Sequence, residues 1–108
     1  MASPIPDTFQ AIADPSRRQI LRLLSKDRLS INSLAENFEM SRPAVSKHVK
    51  ILECAGFISI RDVGRERYCT LSQEGFTKLQ DWIDYFDSFW TNKLSKLQSL
   101  LNTKTNKK

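Results

Sequence analysis

The 108-residue chain contains one histidine, two cysteines and three glycines, and each shortage excludes a class of chemistry. One imidazole (His48) and two thiols (Cys54, Cys69) are all the chain offers of His and Cys, and His48 and Cys54, roughly 240° apart on a helical wheel, cannot share a metal without distorting the helix. Gly56, Gly64 and Gly75 are isolated, so no glycine-rich loop is present to cradle a phosphate. No nucleophile–base pair or metal triad is visible, which argues against an enzyme. No apolar run approaches the roughly 20 residues that span a bilayer. The opening Met1-Ala2-Ser3-Pro4-Ile5-Pro6 lacks the basic start and apolar block of a secretory signal. Without such a signal, the two cysteines point to reduced thiols and a cytoplasmic protein. The length suits one domain with a modest core.

What the chain has is basic charge. Seventeen Lys and Arg against twelve Asp and Glu give +5 and a pI near 9.5, a balance that favours an anionic partner. The excess is concentrated: from Arg42 to Arg67 there are six basic residues against three acidic ones.

The stretch Ser41–Glu53 organises the rest. The Ser41 hydroxyl can cap a helix, and Pro43 fits a first turn, where a missing N–H costs little. At helical spacing Val45, Val49 and Leu52 share one side, and Pro43, Ser46, Lys47 and Lys50 share the other. An apolar back with hydroxyls and cations in front suits a helix that packs on a domain and faces an anion. Upstream, residues 1–7 read as an arm, residues 8–13 as a short helix, and Asp14-Pro15 as the start of a helix over residues 16–25. A polar break at residues 26–29 precedes Ser30, which caps a helix over residues 31–38 with Ile31, Leu34, Ala35 and Phe38 on one face. Two short helices joined by three or four residues match a helix-turn-helix.

Downstream, Gly56 can end the helix, and residues 57–61 and 66–71 read as strands around a turn at Asp62-Val63-Gly64-Arg65. This hairpin with a basic tip completes a winged helix-turn-helix over residues 8–71, a mainly α fold with a small β-hairpin. A long helix over residues 72–102 follows, then a basic tail at 103–108. On that helix Phe76, Leu79, Ile83, Phe86, Trp90, Leu94, Leu97 and Leu101 recur at spacings of three and four. Trp82, Tyr85 and Phe89 form a second stripe beside them, and together the stripes cover close to half the circumference. So small a domain cannot hide that much apolar surface, so the expected cover is the same helix of a second subunit.

Three stretches carry a resemblance to a known family. Ala13-Asp14-Pro15-Ser16-Arg17-Arg18-Gln19-Ile20-Leu21, Leu34-Ala35-Glu36 and Ser41 through Leu52 resemble the ArsR/SmtB family of bacterial winged-helix repressors. Gly64-Arg65-Glu66-Arg67-Tyr68 is similar to that family's wing. The resemblance implies a homodimer that binds inverted repeats of double-stranded DNA in promoters, often its own, and usually represses. It does not extend to the family's metal sites. One needs a Cys-x-Cys pair where this chain has Glu36-Asn37-Phe38-Glu39-Met40-Ser41. The other needs Asp/His and His/Glu ligands on the last helix, which has no histidine and carries Asp81, Asp84 and Asp87 at helical spacing without imidazole. No metal and no cofactor are expected, and no effector can be named.

The expected DNA contacts are Ser41, Arg42, Pro43, Ala44, Ser46, Lys47, His48 and Lys50 on the helix, with Arg61, Arg65 and Arg67 on the wing. Arg42 can read guanine bidentately, Pro43 or Ala44 can touch a thymine methyl, and Lys47 and Lys50 suit phosphates. Arg65 at the wing tip can enter a narrow minor groove. His48 is read first as a structural hydrogen-bonding group and second as a DNA contact. Cys54 and Cys69 are read as small hydrophobes, with a redox pair the lesser alternative. The rival function is a protein-interaction module built on the winged helix and the aromatic last helix.

Overall fold

A computed structural model of the chain describes residues 7–105, with side chains as far as Asn102. The expected arm, apart from Asp7, and residues 106–108 of the expected tail lie outside the described residues. The elements in order are α1 (Thr8–Ala11), α2 (Pro15–Leu24), β1 (Leu29–Ser30), α3 (Ile31–Ala35), α4 (Arg42–Cys54), β2 (Ile58–Val63), β3 (Glu66–Leu71) and α5 (Gln73–Thr105). The chain divides into two units, one through Lys78 and one from Leu79 onward.

In the first unit, four helices start on the same device. The carboxylates of Asp7 and Asp14 accept the N–H of Gln10 at 2.7 Å and of Arg17 at 3.0 Å. The hydroxyls of Ser30 and Ser41 accept the N–H of Ser33 at 3.1 Å and of Ala44 at 3.3 Å. A cap of this kind contributes about 1 kcal/mol, because first-turn amides have no partner within the helix. At the other end of α4, Gly56 adopts φ +86°. The Gly56 N–H bonds the Glu53 carbonyl at 3.0 Å and the Phe57 N–H bonds the Leu52 carbonyl at 2.9 Å. This pair of bonds satisfies carbonyls the helix would leave open and turns the chain sharply into the sheet.

The core lies between the helices and one face of the sheet. Ile20, Leu34, Val45, Val49, Leu52, Phe57 and Cys69 are fully buried, with Ile31 and Ile58 nearly so. Phe57 joins α4 to the start of α5. Its carbonyl accepts the Ser72 N–H at 2.8 Å, and its ring meets Phe76 edge-on at 4.9 Å. A methyl group at Gly75 would sit 2.8 Å from that ring, so the close approach requires glycine there.

The sheet is antiparallel, in the order β1-β3-β2. β1 was not expected: Leu29 pairs with Cys69 and Ser30 with Tyr68, in a stretch too short to show alternation. α3 ends at Ala35 rather than at residue 38, because the chain turns at Glu36 and Asn37, so the connection to α4 is longer than expected. β2 continues to Val63, which pairs with Glu66, leaving a two-residue turn at Gly64-Arg65. Gly64 at φ +64° with Arg65 at negative φ is the turn whose twist matches a hairpin and which favours glycine first. α5 runs three residues beyond its expected end, to Thr105. Among the described residues no helix is long and apolar enough to cross a membrane.

Candidate nucleic-acid interface

α4 has two sides of opposite character. Val45, Val49 and Leu52 are buried, whereas Ser41, Arg42, Pro43, Lys47 and Lys50 are exposed, and Ala44, Ser46 and His48 are half-buried. Among the described residues Lys47 has no ionic partner, while Lys50 pairs with Glu53 one turn on, at 3.3 Å. So exposed an ion pair is worth about 0–1 kcal/mol and yields readily to a phosphate. Arg65 is exposed at the wing tip, and neither it nor Arg61 has an ionic partner among the described residues. Arg67 does: its Nε donates to Asp62 Oδ1 at 3.1 Å across the hairpin, so its charge is partly neutralised in place.

His48 is structurally engaged. Its Nδ1 lies 3.1 Å from an Arg17 terminal nitrogen. Since a guanidinium only donates, Nδ1 is the acceptor in this contact. The rest of Arg17 ties down the end of α1, with Nε donating to the Ala11 carbonyl at 2.7 Å and the other terminal nitrogen to the Gln10 carbonyl at 3.3 Å. The sequence offers no sign of this role for Arg17, since no local spacing announces a bond to a residue 31 positions away. Arg17, Pro43, Ala44, Lys47, His48 and Ile51 line a groove of about 440 Å³. Asp14 sits beside this cluster. Burial alone would raise its carboxyl, but the Arg17 N–H, the nearby His48 and Arg17 and the Ser16 N–H outweigh that and hold it below its ordinary 3.8.

Arg42, the expected base reader, is also held: its Nε donates to the Asn32 carboxamide oxygen on α3. Asn32 in turn donates to Glu66 Oε1 at 3.2 Å. Asn32 was not among the expected site residues. The cysteines do not behave alike. Cys54 is exposed at the end of α4, whereas Cys69 is fully buried. Burial, with the Glu53 charge adding to it and Arg67 opposing, pushes the Cys69 thiol up to about 11. It is protonated at neutral pH and fills the core.

On α5, Ile83, Phe86, Phe89, Trp90, Leu94, Leu97 and Leu101 are exposed, Trp90 by 56%. Leu79 is half-buried, and Phe76 is partly taken up by Phe57 of its own chain. Leu100, 63% exposed, lies in line with Trp82 and extends the second stripe beyond its aromatics. The rings also order one another, Trp82 against Phe86 at 4.9 Å and Phe89 against Trp90 at 5.3 Å.

Comparison with known proteins fits this geometry. The pattern of the arsR family of bacterial regulatory proteins matches residues 14–59. The chain is 35% identical over 99 residues to the HTH-type transcriptional regulator Rv2034 of Mycobacterium tuberculosis, covering 91% of this chain and 90% of that one. It is 39% identical over 83 residues to the transcriptional repressor SdpR of Bacillus subtilis, covering 77% and 89%. The chain belongs to the arsR family. A crystal structure of the ArsR family transcriptional regulator RHA00566 superposes with a TM-score of 0.73 at 37% identity, over 78% of this chain and 92% of that one. As an ArsR family protein the chain is a winged helix-turn-helix, DNA-binding transcriptional regulator rather than an enzyme. Among the described residues no three of His, Cys, Asp and Glu gather where they could hold an ion, and residues 36–41 offer no thiol.

Proposed function

We propose that the chain is a homodimeric, cytoplasmic repressor that binds an inverted repeat in its own or a neighbouring promoter. α4 enters the major groove with Arg42, Pro43, Ala44, Ser46 and Lys47 toward base edges and phosphates, and Arg65 carries the wing to the minor groove. Lys50, Arg61 and Arg67 serve the backbone, and His48 chiefly holds α4 against Arg17. The observation that carries the reading is the division of α4, buried at Val45, Val49 and Leu52 and bare at Arg42, Pro43 and Lys47. The repressor role of SdpR supports the sign of the regulation. The exposed apolar face of α5 supports the dimer.

The test is a salt-titrated binding assay on the DNA upstream of the protein's own gene. With 6–10 phosphates neutralised per dimer, affinity falls ~10³–10⁵-fold between 50 and 200 mM salt. Arg42→Ala weakens this duplex more than unrelated DNA, whereas Arg65→Ala also flattens the salt dependence. A flat salt response, or equal binding to every duplex, contradicts the proposal.

A further inference from the structure

Asn32 bridges three elements. Its carboxamide oxygen accepts from Arg42 Nε at the first residue of α4, and its amide nitrogen donates at 3.2 Å to Glu66 Oε1 at the first residue of β3. Glu66 directly follows the Gly64-Arg65 turn at the wing tip. We propose that Asn32 is a positioning residue for DNA recognition, which presents the Arg42 guanidinium to a base while fixing the wing relative to α4. The proposal rests on the DNA-binding reading above.

The chemistry of the three groups explains why a carboxamide stands between them. A guanidinium only donates and a carboxylate only accepts, whereas a carboxamide does both and satisfies each neighbour at once. Aspartate at position 32 would keep the bond to Arg42 but face Glu66 with a like charge. The bond engages Nε, which leaves both terminal nitrogens of Arg42 available, and two such donors side by side match O6 and N7 of guanine. Arg42 forms no ion pair with Glu66 among the described residues, so its charge remains available to DNA. A long side chain ordered before contact loses less freedom on binding. Asn32 is exposed, as are Arg42 and the Asn32–Glu66 bond, so the relay lies on the surface and not in the core.

The experiment uses duplexes that the wild-type protein selects from a randomised library, with an unrelated duplex as control and thermal melting to check folding. Asn32→Ala is expected to weaken the selected duplexes ~10-fold, the scale of one charge-assisted hydrogen bond, and the unrelated duplex by less than about 2-fold. It also flattens base preference at the position that Arg42→Ala flattens, and adding it to Arg42→Ala brings little further loss. Asn32→Leu, which keeps the size but can neither accept from Arg42 nor donate to Glu66, shows the same loss of preference should the alanine variant melt early. Glu66→Gln, which keeps the accepting oxygen, retains most of it. Equal loss on both duplexes, or an unchanged base preference, overturns the proposal. So does tighter binding by Asn32→Ala, since Asn32 would then be restraining Arg42. If the wild type selects no duplex at all, the DNA-binding reading fails and takes the relay with it.

Discussion

The two units of the chain treat apolar side chains in opposite ways. Through Lys78 many are buried within the unit: Leu34, Val49, Leu52 and Phe57 are fully covered, Phe9, Val63 and Leu71 are exceptions, and polar residues serve as caps and ties. From Leu79 the helix leaves Ile83, Trp90, Leu94 and Leu97 half or more exposed. Both segments show helical apolar periodicity, so periodicity alone does not say whether a face is covered by its own chain. An uncovered face this wide marks an interface. The first unit covers much of its own apolar surface, and the second leaves a wide face that we propose another copy covers.

The difference can be sharpened by substitution. Phe57→Ala removes a fully buried ring and is expected to lower unfolding stability by ~3–5 kcal/mol in urea titration. Ile83→Ala, measured in a chain kept monomeric by Trp90→Glu, is expected to change it by less than about 1 kcal/mol. Equal losses would erase the distinction between the units. Next in size, Trp90→Glu places a charge in the proposed interface and unlinks two DNA-reading units. Its binding to a selected duplex should fall at least ~100-fold by fluorescence anisotropy, because joined sites reinforce one another. An undiminished affinity would mean that one unit suffices.

Gly75→Ala tests the packing of Phe57 more finely. The added methyl group meets the ring at 2.8 Å, a clash of ~1–3 kcal/mol set against ~1 kcal/mol of better helix propensity. A net loss of about 1 kcal/mol is expected in thermal melting, and a gain would show that the ring can move aside.

An effect of similar size depends on acid. Asp14 has a folded pKa below its unfolded value, so it stabilises the fold above that unfolded value, near 4, and the contribution vanishes as pH falls through the lowered folded value. Asp14→Ala should therefore cost about 1 kcal/mol at neutral pH and almost nothing at the acid end of a pH series of melts.

Much of this arrangement was legible in the sequence, because its signals are local. Asp14-Pro15 and Ser41 announce helix starts, Gly56 a helix end, and Val45, Val49 and Leu52 a buried face. The features that escaped depend on distant partners. β1 is a strand only because Leu29 and Ser30 find Cys69 and Tyr68. α3 stops early although Phe38 continues its spacing, since the chain must turn to reach α4. Within the candidate interface, the exposed cations were evident from spacing, whereas the ties of Arg17 to His48 and of Asn32 to Arg42 and Glu66 join residues far apart in the chain. Chemistry could have suggested them, in that a carboxamide among charged residues and an arginine near a helix end are both joiners, but no pattern in the sequence selects the partner.

The central claim, that a second copy of this chain covers the apolar face of α5, is tested most directly by the mass of the protein in solution. Sedimentation equilibrium at micromolar concentration should give twice the chain mass of 12.5 kDa for the wild type and the single-chain mass for Trp90→Glu. A wild-type protein that sediments at 12.5 kDa and still binds its selected duplex at full affinity would contradict it.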